Sequence, residues 1–308
     1  MQIIVSIITP TYNRAGTLSR LHESLCNQTD LRFEWIVVDD GSTDNSRELI
    51  AMLIKNSPFQ VKYFYKENGG QHTARNLGIK HATGEHIILL DSDDALVRDA
   101  VETSIIECDE VFKNENYFAV MGRYIDEHGS LVGEPFPEDM NLRPKPLKRR
   151  WFRKNKRDCV YIIRADILKR YPFPEPKDIK YTRDSILWNE LHARYEAHYI
   201  NQVFGIVFYD QDNRVTKVMS NWSRRYRGYL LRLDLFNRIF MIDKTFSLLE
   251  KKSALNQLMY DAYKINKTPK DVYRDLTRLS VRMLITPIYF LFICIGKIKK
   301  RETYMELD

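Results

Sequence analysis

Four short apolar runs, "IIVSII", "FEWIVV", "VKYFY" and "HIILL", recur along the first hundred residues of this 308-residue chain, and stretches of helical spacing separate them. Leu18, Leu21 and Leu25 follow the first run, "TDNSRELIAMLIKN" the second and "QHTARNLGIKHA" the third. Apolar runs this short read as strands, and leucines three and four apart read as one face of a helix. Asn13 to Gly16 marks a turn, and Thr43, Asp44, Asn45 and Ser46 offer helix caps. Strands alternating with helices predict an α/β fold: a mostly parallel, doubly wound sheet covered on both faces. Sheets of that kind bind ligands beyond the carboxyl ends of their strands.

Two of the strands run straight into acids at that end, in "VVDDGS" and "LLDSDD". Asp91, Asp93 and Asp94 put three carboxylates into four residues, which repel one another and lose water at the end of a core element. A Mg²⁺ or Mn²⁺ ion shared with a substrate diphosphate would answer the repulsion, because such ions take hard oxygen ligands. In an extended stretch Asp91 and Asp93 point to one side and Ser92 to the other. The competing reading is that these acids cap a helix beginning near Ala95, for which one acid suffices.

A content of 44% hydrophobic and 12% aromatic residues excludes a disordered chain. The balance of 48 Lys+Arg against 41 Asp+Glu, a net +7, favours polyanionic partners. Cys26, Cys108, Cys159 and Cys294 lie far apart without CxxC spacing, which suggests neither a zinc site nor a disulfide framework and fits a reducing compartment. The start, "MQIIVSIITPTYNR", lacks the basic lead and long apolar run of a signal peptide.

Beyond residue 100 a helix is expected from Glu102 to Lys113, then in "YFAVMGRYIDEHGSLVGE" an antiparallel hairpin turning at His128 and Gly129. Residues 145–157, "KPLKRRWFRKNKR", carry eight basic residues of thirteen together with Trp151 and Phe152. That run suits a lipid-diphosphate acceptor or an anionic membrane, and no nucleic-acid module accompanies it. "CVYIIR" reads as a strand, and "YTRDSILWNELHARY" as a helix with Ile186, Leu187, Leu191 and Tyr195 on its apolar face. After residue 222 the chain reads as mostly helical. Near its end, "MLITPIYFLFICIG" has fourteen residues with Pro287 inside, short of the ~20 that span a bilayer. It either lies in a membrane interface, with Tyr289 and Lys297, Lys299, Lys300 and Arg301 at headgroup level, or packs as a buried helix.

In order and spacing, "VSIITPTYNRAGTLSRLHESLCNQ", "EWIVVDDGSTDNS" and "ENGGQHTARNLGIKHATGEHIILLDSDD" resemble the nucleotide-binding half of the family 2 glycosyltransferases, whose fold is GT-A. The resemblance is dense over residues 3–100 and looser to about 220. It implies a GT-A domain over residues 1–220, with a nucleotide-binding half (1–100) and an acceptor and catalytic half (101–220). A helical extension follows over 221–308, with a membrane-associating segment at 279–301. The implied activity is inverting, metal-dependent transfer of a single sugar from a nucleotide diphosphate sugar, usually a UDP-sugar, with Mn²⁺ or Mg²⁺ as cofactor. The implied acceptor is a hydroxyl of a glycan or lipid-linked saccharide in cell-surface polysaccharide synthesis, at the cytoplasmic face of the membrane.

Carried over position by position, Pro10 and Tyr12 line the base and ribose, and Asp40 accepts a hydrogen bond from the base, as a carboxylate can from a uracil imide N–H. Asp39 either ties down the first loop or serves as a turn residue. Arg75 reaches the nucleotide or diphosphate, and Asn76 fixes the local turn. Asp91 serves the ribose and the metal, Asp93 is the main metal ligand, and Asp94 is a supporting residue or a cap. Inverting transfer also needs a base for the acceptor hydroxyl. The family draws it from an acid at a helix start after a "fpe"-like segment, which here points to Asp184 after "PFPE", with Arg183 where the family often has Glu. A plain N-cap role competes for Asp184, and Glu175 and Asp178 are weaker candidates for the base. Arg214 and Lys217, in "YDQDNRVTKVMSN", are candidates to close over the diphosphate. The QxxRW motif of processive synthases is absent, since "NWSRRY" does not match it. A dehydrogenase would want GxGxxG after the first strand, where "TPTYNRAG" has one glycine. The remaining alternatives are a sugar nucleotidyltransferase and an inactive nucleotide- or membrane-binding module.

Overall fold

A computed structural model describes residues 2–145, 148, 158–175, 184–209, 229–230, 233, 258–260, 262, 265 and 267–276. The chain divides into two compact units, Met1–Asn213 and Arg214–Asp308.

The first unit is built on one eight-stranded sheet of order β3-β2-β1-β4-β7-β6-β8-β5. Strands β1 (Val5–Thr11), β2 (Phe33–Asp39), β3 (Gln60–Tyr65) and β4 (His86–Leu89) run parallel, joined by helices α1 (Ala15–Cys26), α2 (Ser46–Lys55) and α3 (Gln71–His81). Every residue of β1 and β2 is buried, which is why both read as largely apolar runs, with buried Ser6 and Glu34 bonded to each other, rather than alternating ones. The other half of the sheet is mixed. β7 (Val160–Arg164) lies antiparallel to β4 and to β6 (Tyr117–Asp126), while β8 (Glu196–Val207) runs parallel to β6. The two-residue β5 (Ala95–Leu96) lies antiparallel to β8. Helices α4 (Ala100–Val111), α5 (Ala165–Arg170) and α6 (Ser185–Arg194) complete the unit.

Two apolar layers form, one on each side of the sheet. Leu18, Leu21 and Leu25 of α1 meet Trp35 and Val37 on one side, and Ala74 and Ile79 of α3 meet Ile8, Ile36 and Val38 on the other. α3 lies very close to β1. A β-carbon built on Gly78 would fall 2.4 Å from the Cγ2 of Ile8, so only glycine admits that approach. At the amino ends of the strands, Glu34 is fully buried against Lys62 (2.5 Å), with Ser6 and Thr83 donating to its other oxygen.

Three local expectations give way to tertiary packing. Residues 95–96 form an edge strand and the next helix starts at Ala100, so none of the "DSDD" acids caps it. The hairpin at His128 and Gly129 turns through Gly129 N–H to Asp126 C=O, but its return is one bridge, Ile125 to Leu131, because β7 takes that side of β6 from Gly122 back to Ala119. The "DSDD" segment is a turn rather than extended, closed by Asp94 N–H donating to Asp91 C=O at 3.1 Å.

In the second unit, α7 (Pro269–Asp275) opens with a capping box in which Thr268 and Asp271 bond reciprocally. Asp275 there accepts from Tyr229 and Lys267, each at 2.6 Å. Among the described residues no helix is long and apolar enough to cross a membrane. The segment 284–296 and nearly all of the basic run lie outside the described residues. Lys145 and Lys148 of that run pair with Glu196 at 3.6 and 3.0 Å.

Candidate active site

Because β1, β2 and β4 are parallel neighbours, their carboxyl ends deliver Tyr12, the pair Asp39 and Asp40, and Asp91 to one edge of the sheet. Pro10 is buried inside β1 opposite Val38, and Tyr12 just beyond it is 46% exposed. The first loop is tied to the second. Ser42 and Ser46 hydroxyls accept from the backbone N–H of Asn13 and Arg14, and Asn13 Oδ1 accepts from Thr43 N–H.

Asp39 holds its own turn through Ser42 N–H and accepts from the Tyr63 hydroxyl at 3.0 Å; burial first, and this bond second, drive the Tyr63 pKa far above its ordinary value. Asp40 is buried and organises the "KENGG" loop. Its carboxylate accepts from Lys66 Nζ (2.6 Å), Gly69 N–H (2.9 Å) and Gly70 N–H (2.7 Å). Gly70 stands at φ +100, a left-handed conformation, directly before α3.

The turn at 91–94 brings oxygens of Asp91, Asp93 and Asp94 within 4.8 Å of one another. An extended segment would have sent Asp93 and Asp94 to opposite faces. All three are hard oxygen donors of the kind Mg²⁺ and Mn²⁺ take, so the set fits such an ion. Protein surrounding Asp94 strips its water, and Asp91, Asp93 and Asp158 repel its charge, so its carboxyl is pushed up to about 9, with Arg20 offsetting part. Asp91 is likewise raised by lost hydration and by Asp184 and Asp93, against the pull of Arg75.

Helix α1 fastens this turn from below with a stripe at helical spacing. Thr17 donates to Ser92 C=O (2.7 Å) and Arg20 to Asp93 C=O (2.8 Å); farther along, Ser24 accepts from Leu96 N–H, and Gln28, just past the end of α1, donates to Val97 C=O. Arg14 adds a cation 3.9 Å from the Asp93 carboxylate.

Arg75 joins the two halves of the site. Its guanidinium is 4% exposed, donates to Asp91 Oδ1 at 2.7 Å and pairs with Asp184 Oδ1 at 2.5 Å. Burial opposes its charge, but Asp184 and Asp91 more than offset that and raise its pKa further. Asp184 occupies the N-cap position of α6 without forming a side-chain cap bond, since its carboxylate goes to Arg75. Asp91, Arg75 and Asp184 therefore form one chain of charges.

Asn76 does not serve a local turn as expected. It spans to residues almost a hundred positions away, bonding the backbone of Phe173 and the carboxylate of Glu175. Sequence reasoning also passed over Gln71, whose amide donates to Asp91 Oδ1 at 2.9 Å, and Asp158, raised by burial and by Asp184. Gln71 was findable, four residues before Arg75 on the same helix face. Asp158 follows a basic run and has no such signal. Arg183, Asp178, Arg214 and Lys217 lie outside the described residues.

The family model described as Glycosyl transferase family 2 matches residues 6–169. An uncharacterized glycosyltransferase of Rickettsia conorii is 37% identical over 147 residues, 46% of this chain and 24% of that protein. The chain thus spans about a quarter of the length of the first curated relatives it matches. The GalNAc(5)-diNAcBac-PP-undecaprenol beta-1,3-glucosyltransferase of Campylobacter jejuni is 28% identical over 304 residues, 94% of this chain and 93% of that protein. Among solved structures, S. aureus TarS 1-349 in complex with UDP has a TM-score of 0.61 at 18% identity, covering 99% of this chain and 94% of that one. The mannosyltransferase PcManGT of Pyrobaculum calidifontis, in complex with GDP-Man and Mn²⁺, has a TM-score of 0.52 at 16% identity, covering 98% and 82%. At these identities the likeness shows the fold, which is GT-A.

Proposed function

The chain belongs to glycosyl transferase family 2, and from that premise we propose that it transfers a single sugar, with inversion, from a UDP-sugar to a hydroxyl of a glycan or lipid-linked saccharide at the cytoplasmic face of the membrane. The observation that carries this reading is the meeting of the "DSDD" carboxylates with Asp184 through Arg75 at the carboxyl edge of the sheet. The TarS structure with UDP-GlcNAc supports the donor class, and the undecaprenol-linked glycan in the Campylobacter relative's name supports the acceptor class.

In this reading Tyr12, Pro10 and Asp40 line the nucleotide end, with Asp91 and Arg75 on its ribose and diphosphate side. Asp91 and Asp93 would hold Mn²⁺ or Mg²⁺, with an oxygen of Asp94 close by. A divalent ion bound there supplies positive charge to the departing diphosphate. Asp184 takes the proton from the acceptor hydroxyl as that oxygen attacks the anomeric carbon and the bond to the diphosphate breaks. Arg75 orients Asp184 and fixes Asp91, so donor and base share one support. Residues 149–157 of the basic run and the segment at 284–296 are assigned to peripheral membrane contact, Lys145 and Lys148 being paired with Glu196.

The test is isothermal titration of the chain with UDP, GDP and dTDP, each with and without Mn²⁺. Mn²⁺-dependent binding of UDP that disappears in Asp93→Ala is expected. Binding of no nucleotide under any condition would sink the reading.

A further inference from the structure

Asn76 makes contacts that nothing in the site described so far uses. Its Oδ1 accepts from Phe173 N–H at 2.9 Å, and its Nδ2 donates to Phe173 C=O at 2.8 Å and to Glu175 Oε1 at 2.7 Å. The amide thus pairs with both backbone groups of one residue, as a neighbouring strand would. Of the side chains this short, only asparagine carries a donor and an acceptor on one planar group.

The residue it grips touches both neighbours of Asp184. The Phe173 ring is 2% exposed, lies 5.6 Å from the Arg75 guanidinium and meets the Trp188 ring edge-on at 5.9 Å. Trp188 stands one turn beyond Asp184 on α6 and stacks on Tyr161 at 4.4 Å, 9° from parallel. Arg75, adjacent to Asn76 on α3, is the group that holds Asp184. One helix therefore grips the base through Arg75 and the aromatic support beneath its helix through Asn76.

Resting on the role given to Asp184 above, we propose that Asn76 is a positioning residue that sets the base against the donor by clamping Phe173. Among the described residues it bonds Phe173 and Glu175 and neither the base nor the "DSDD" acids, so its loss acts on turnover and leaves nucleotide affinity in place. A displacement of the base by even an ångström costs rate steeply.

The experiment labels the full chain with fluorotryptophan and follows the Trp188 ¹⁹F resonance, assigned by its loss in Trp188→Phe. It does so in the unaltered chain, Asn76→Ala and the isosteric Asn76→Asp, which sets oxygen against oxygen at Phe173 C=O and Glu175. UDP affinity with Mn²⁺ is measured alongside, and so is UDP release from UDP-Glc, UDP-Gal, UDP-GlcNAc and UDP-GalNAc. We expect the Trp188 resonance to move in both variants, UDP affinity to hold within about twofold, and UDP release to fall roughly tenfold to hundredfold. An unmoved resonance, unchanged release, or a loss of UDP affinity as large as the loss of release overturns the proposal. Asp184→Asn separates the two failures. If it releases UDP at the unaltered rate, the base assignment falls and the proposal with it. If it is inactive while the Asn76 variants are active, only the clamp falls.

Discussion

Asp184 stands where a helix cap would stand, yet its carboxylate turns to Arg75. For the base this predicts that Asp184→Asn keeps UDP binding within about twofold and loses on the order of a hundredfold or more in turnover, read by UDP release. Arg75 is itself nearly enclosed, whereas its two carboxylate partners are 41% and 38% exposed and keep part of their water. Arg75→Met should therefore cost about 1–2 kcal/mol rather than the larger penalty of a fully buried pair, measured by urea unfolding. Loss of UDP affinity should accompany it, because Asp91 is released too. Asp91 and Asp93 were legible as a pair from the acids at a strand end. Their partner across the cleft was not, because an arginine on a helix carries no mark of which carboxylate it will meet.

At the scale of elements, α3 is the piece that places the site. It presents Gln71 and Arg75 to Asp91, Arg75 also to Asp184, and Asn76 to Phe173, and it does so because Gly78 lets it lie against β1. Gly78→Ala should lower stability by about 1–3 kcal/mol, since the new methyl meets Ile8, a branched residue in the middle of a buried strand. A thermal melt matching the unaltered chain would contradict the packing. The parallel strands were legible from their short, largely apolar runs. The edge strand at 95–96 was not, since two residues hold no period and its pairing to β8 lies more than a hundred residues away.

For the whole molecule, protonation is the term that packing alone imposes. His22, His72, His86 and His198 all have lowered pKa values, in each case chiefly because burial strips water from the charged ring. Such a group leaves stability intact above the unfolded value of about 6.5, and stability is lost as pH falls towards the folded value, because only the unfolded chain takes up the proton. His86, 6% exposed and edge-on to Phe112, is one of them. The acids Asp91 and Asp94, raised by burial, act in the opposite sense, so the histidine contribution is read as a difference. Between pH 7.5 and 5.5 the unaltered chain should lose more thermal stability than His86→Phe does. An equal loss in both would remove burial of His86 as a cause.

The order of strands and helices, the acids at the strand ends and the family itself were determined by the sequence alone. These are local signals: a strand or helix repeats its pattern within a few residues, and the motifs follow one another along the chain. The tertiary structure decided how the acids come together, by a turn rather than an extended run. It also decided that Arg75 bridges Asp91 and Asp184, and that Asn76 reaches across nearly a hundred residues to Phe173. Contacts of that kind depend on which buried polar groups find partners once the sheet has closed, and no spacing along the chain records that choice.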